Sequence, residues 1–170
     1  MKAICISILF SLSVASFAQD TKELVITEDA KYFDFWVGTW HVINENGTID
    51  STSYFKIKRS VHSAAFEEEW QLAVDKTKPL KSVALRAWDK SNNKWGFVWV
   101  SDNGLYQIWD SRKVDGHWYI YKQFTVNGDT YLSRQGFLLQ PDDTVLRISE
   151  KTYDEKKWEV RFKQRLKKVK

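Results

Sequence analysis

Cysteine is all but missing from this chain. The single one, Cys5, stands in an apolar leader, so the rest of the sequence can form no disulfide and offers no thiolate nucleophile or metal ligand. Two prolines and seven glycines are too few for a disordered or low-complexity chain. No apolar run approaches the roughly 20 residues that a membrane-spanning helix needs. The three histidines, His41, His62 and His117, make no H-x-H or H-E-x-x-H spacing, so no metal site is expected. A G-x-S-x-G elbow and a phosphate-cradling glycine loop are also missing, and no cofactor is implied.

What is present begins with "MKAICISILFSLSVASFAQD". Lys2, an apolar run from Ile4 to Val14 and a small-residue end at Ser16-Phe17-Ala18 have the form of a signal peptide, residues 1–18. The expectation is an exported protein, periplasmic or extracellular, with residues 19–170 forming one domain. The whole chain carries a net +4, and removal of the leader with Lys2 leaves +3. That mild excess says little about partners, and no nucleic-acid partner is expected for an exported protein. The basic tail "RFKQRLKKVK" reads as a solvated strand face, with weak contact to envelope anions as the alternative.

Alternating β-branched and aromatic runs recur at 40–45, 51–58, 64–72, 81–88, 94–101, 104–112, 117–125, 130–139, 144–152 and 157–167. The breaks between them ("NENG", "SDNG", "VDG", "VNGD", "QPDD" among others) are rich in the residues that tight turns need. Short links throughout predict an all-β antiparallel up-and-down meander of about ten strands. Closure into a barrel removes its two exposed edges, with a two-sheet sandwich as the structural alternative. In the last strand Trp158, Val160, Phe162, Gln164 and Leu166 alternate with charged residues, which predicts the former inside. A short helix or turn at 29–36 is expected to fold its aromatics across one mouth, with Trp40 beneath.

The aromatic turn leading into Gly38-Thr39-Trp40 resembles the G-x-W opening of calycins, the lipocalin-like barrels. The stretches "FDFWVGTWHV", "FEEEW", "KSVALRAWDKSNNKWGFVWVSDNG" and "DDTVLRISEKTYDEKKWEV" together resemble bacterial secreted calycin-like proteins of unknown function. The resemblance implies a barrel that binds a small molecule, and an Arg or Lys of the closing strand over the Trp40 ring. Arg161 and Arg165 are the candidates, although alternation sends both outward. Haem held by a late-strand histidine does not carry over, because no histidine follows His117.

Strand 64–72 bears the main chemical signal. If Phe66, Trp70 and Leu72 face inward, so does Glu68, and a buried carboxylate needs a partner. Arg86 on the next strand is the expected one, and Arg134 a further candidate. Trp88, Trp99, Trp109 and Tyr121 are expected to form an apolar wall, with Gln107, Tyr119 and Gln123 on the same faces. Three functions follow from this pattern. The first is a barrel holding a largely apolar ligand with a polar head group near Glu68 and Arg86. The second is a cofactor-free isomerase, cyclase or hydrolase with Glu68 as acid–base. The third is a packed structural or interaction module of the envelope.

Overall fold

The structure, a computed structural model, describes residues 27–73 and 78–169; the leader at 1–18 lies outside the described residues. Its strands are β1 (Gly38–Ile43), β2 (Ile49–Arg59), β3 (Ala65–Leu72), β4 (Leu80–Asp89) and β5 (Lys94–Ser101). They continue as β6 (Tyr106–Val114), β7 (His117–Val126), β8 (Asp129–Leu139), β9 (Thr144–Thr152) and β10 (Glu159–Val169). Each pairs antiparallel with its neighbour in sequence, and β1 zips onto β10 from Thr39↔Val169 to Ile43↔Arg165. The result is a closed ten-strand up-and-down barrel. No described helix is long and apolar enough to cross a membrane.

Turn chemistry explains the meander. Asp115-Gly116 and Asn127-Gly128 are two-residue links whose four residues all have positive φ, between 50° and 82°. Those dihedrals match the twist of a hairpin, which favours Asp or Asn followed by Gly. Strand ends shift slightly from the sequence reading, with β2 at 49–59, β6 at 106–114 and β10 at 159–169.

Before β1, Thr27 caps a one-turn helix, α1 (Glu28–Lys31), by accepting from the Ala30 amide, and a 3-10 turn follows at Asp34–Trp36. This segment seals one end. Phe33 and Trp36 are buried, each contributing roughly 1.5–3 kcal/mol by burial. Trp40 stacks on Trp36 at 5.5 Å and donates Nε1–H to the Trp36 carbonyl at 2.8 Å. Trp95 Nε1 donates to the Asp29 carbonyl, Arg59 pairs with Asp34, and Tyr32 Oη meets His117 Nδ1 at 2.9 Å.

Gly38 makes the entry to β1 possible. Its φ of 128° suits only glycine, and a Cβ there would collide with Lys168 Cε. Lys168 pairs across from Trp40 and holds its Nζ 5.5 Å from the ring centroid. The closing-strand cation is therefore Lys168. Neither Arg161, which reaches Tyr131, nor Arg165, which pairs with Asp142, takes that place.

Strand phase departs from expectation on the far wall. A bulge between Val160 and Phe162 resets β10, so Trp158 precedes the strand and Val160 is exposed, while Phe162, Gln164 and Leu166 face in. On β7 the inward residues are Trp118, Ile120 and Phe124; on β8 they are Ser133, Gln135 and Phe137. Tyr119, Tyr121, Gln123 and Arg134 consequently belong to the outer face. Both phases of these strands carry apolar side chains, so alternation alone does not choose between them.

Candidate functional site

Two groups of polar residues lie inside the barrel, at different depths. Nearer the sealed end, Glu68 of β3 and Arg86 of β4 meet at 2.7 Å between Oε1 and Nε, both with fully buried side chains. Trp70 Nε1 donates to the other carboxylate oxygen at 2.9 Å. Phe33, Phe97 and Phe137 stand 4.4, 4.6 and 5.0 Å from the Arg86 guanidinium carbon, which gives the cation aromatic faces where it lacks acceptors. Its two terminal nitrogens have no hydrogen-bond partner among the described residues. Both Glu68 oxygens are engaged, and Glu68 is not part of the internal cavity wall.

Above this pair, toward the end that carries the β3–β4 link, the interior opens into a cavity of about 350 Å³. Trp70, Phe97, Trp99, Trp109, Phe124 and Phe162 supply its aromatic wall, and Leu72, Leu80 and Ile120 its aliphatic part. Four polar residues interrupt that surface: Gln107, Gln135, Arg147 and Arg161. Gln107 Oε1 accepts from Trp109 Nε1 at 3.1 Å, so it orients the indole as well as lining the space.

Arg147 of β9 is 6 % exposed. It donates Nη1–H to Gln164 at 2.8 Å and Nη2–H to Gln135 at 3.1 Å, while Nε has no partner among the described residues. Phe55, Trp70, Phe137 and Phe162 surround it at 4.9 to 5.9 Å. Burial pushes its pKa down to about 10, against the opposing attraction of Glu68, so it stays charged at neutral pH. No carboxylate lies within ion-pair distance of it among the described residues.

The sequence candidates are thus divided. Trp99 and Trp109 line the cavity; Glu68 and Arg86 form the bonded pair beneath it; Trp88 sits at the sealed end against Trp95 and Trp118. Tyr121 and Arg134 are on the outer wall. There Arg134 pairs with Glu150 at 2.7 Å and stacks over Trp158 at 4.0 Å, while Tyr121 lies under Trp158 and Arg112. With the Arg112–Glu155 pair, this cluster fastens the β9–β10 link to the barrel. Their distance from the cavity follows from the strand phases already described.

Arg147 and Gln135 escaped the sequence reading. Leu146 and Ile148 flank Arg147, and alternation there favours turning the leucine and isoleucine inward. The one available signal was register, which sets Arg147 beside Gln164 on the β10 face whose interior phase is plain.

A larger hollow, about 720 Å³, runs over the outside of β2 to β5. It is an open groove floored by Val83, Leu85 and Val100 and flanked by the Lys58–Glu67 and Lys56–Glu69 pairs. Its one buried charge is Glu68, already bonded to Arg86, and we place the chemistry inside. The histidines are dispersed: His41 meets the Asp50 carbonyl, His62 accepts from the Ala64 amide, and His117 meets Tyr32. Among the described residues no group of three or more His, Cys, Asp or Glu could hold a metal ion. Comparison with protein-family models and with curated proteins finds no match.

Proposed function

We propose that this protein is a small-molecule-binding barrel that holds a largely apolar ligand with a polar group in its internal cavity. The carrying observation is the cavity itself: six aromatic side chains around about 350 Å³, interrupted by a few polar groups. That is the composition of a small-molecule site, and the volume lies at the lower end of the usual range. Kinship with calycin-like barrels is part of the proposal. It is supported by the Gly38-Thr39-Trp40 opening with Lys168 over the indole. Export rests on the leader at 1–18, and the mass of the mature chain purified from its host tests it.

The geometry does not favour an enzyme with Glu68 as acid–base, because Arg86 and Trp70 occupy both its oxygens away from the cavity wall. The packed-module reading fits only the sealed half. A neutral aromatic dye, N-phenyl-1-naphthylamine, separates the remaining possibilities. We expect saturable fluorescence enhancement with quenching of tryptophan, and loss of both when Leu80→Trp fills the cavity edge. A wild-type chain that takes up no dye, with native circular dichroism, returns the protein to the module class.

A further inference from the structure

We propose that the ligand is a monoanion, the carboxylate of a flat aromatic acid, held by Arg147 with help from the Trp99 indole. This rests on the reading of the cavity as a binding site and names what that site selects.

Charge is the first argument. Among the described residues the buried charged side chains are Glu68, Arg86 and Arg147, two cations against one anion. Glu68 bonds Arg86 directly and reaches Arg147 only through longer-range attraction. An isolated buried cation is expensive, and one ligand carboxylate cancels the excess. A dianion such as a phosphate monoester would reverse it. The cavity wall repeats the bias: it includes Arg147 and Arg161, and none of its described residues is a carboxylate.

Hydrogen bonding is the second argument, and it is independent of net charge. Two N–H groups on residues of the cavity wall have no acceptor among the described residues, Arg147 Nε and Trp99 Nε1. Buried donors left unpaired cost about 1–3 kcal/mol each. A carboxylate is an acceptor with two oxygens, and guanidinium suits it geometrically. Gln164 and Gln135 bond the two terminal nitrogens of Arg147, so the cation is pre-set before any ligand arrives.

Shape supplies the rest. Trp70, Phe97, Trp99, Trp109, Phe124 and Phe162 present ring faces and edges to a small volume. Such walls favour stacked or edge-on contact with another ring over a coiled alkyl chain.

Calorimetric titration of the purified chain with 2-naphthoate, 2-naphthamide, 2-naphthylmethylamine and octanoate tests this. The expected order is 2-naphthoate tightest by tenfold or more over the amide, with the amine weakest and octanoate below 2-naphthoate. Arg147→Met should erase the preference for naphthoate while leaving naphthamide affinity within threefold, and Arg147→Lys should keep part of it. Equal affinity for naphthoate and naphthamide, or a preference that survives Arg147→Met, overturns the anion assignment while leaving the cavity reading intact. Octanoate binding as tightly as 2-naphthoate overturns the flat aromatic acid. If none of the four compounds binds the wild type, the cavity reading fails and this inference with it. Should Arg147→Met not fold, the ligand order on the wild type and on Arg147→Lys decides the matter.

Discussion

The two ends of this barrel are built from similar residues and arranged to opposite effect. At the sealed end, Phe33, Trp36 of the 3-10 turn and Trp40 of β1 are buried together, Phe33 lies against Arg86, and Glu68 cancels the Arg86 charge directly. At the other end, indoles and phenyl rings of β3, β5, β6, β7 and β10 line the cavity, and Arg147 has no direct counter-ion among the described residues. Aromatic content therefore says nothing about whether a region is filled. Among the described residues, what separates the two is whether a strap of chain enters the barrel and whether each buried charge has its opposite within bonding distance.

Glu68→Gln breaks this contrast most severely. It leaves two guanidinium groups in the interior without an opposing charge, and unfolding in urea should lose about 3–5 kcal/mol. Adding Arg86→Met should recover part of that loss, since the two positions act as a pair. A Glu68→Gln loss below about 1 kcal/mol, the range of surface pairs, would remove the distinction between the ends. Arg147→Met should behave in the opposite way. Removing a cation that has no direct partner should leave stability within about 1 kcal/mol of the wild type or raise it. A drop as large as that of Glu68→Gln would make Arg147 a structural residue like Arg86.

Lys168→Ala sharpens the picture of the sealed end. Its exposed ammonium covers the buried Trp40 indole, so the loss should be about 0.5–1 kcal/mol. An unchanged midpoint in urea would show that β1–β10 closure does not need that contact.

The meander was legible residue by residue. "VDG" and "VNGD" announce two-residue hairpins, the Glu68 position demands a basic partner, and Arg86 is the guanidinium diagonal to it on the next strand. The far wall was not legible. Tyr119 and Tyr121 compete with Trp118 and Ile120 for the inward face of β7, and Leu146 and Ile148 hide the inward course of Arg147. A half-buried outer face blurs the period-two pattern that separates inside from outside. The bulge at Arg161 adds a one-residue reset that no local residue announces.

Local chemistry was therefore enough to determine strand count, turn positions and the buried Glu68–Arg86 pair, because each depends on neighbours in sequence or on one adjacent strand. The choice of closure over a sandwich was decided by the pairing of β1 with β10. Which aromatics border the cavity, and that Arg147 stands among them without a direct counter-ion, were decided only when ten strands met in three dimensions. Strand phase and volume are properties of the closed circuit, and no single strand carries them.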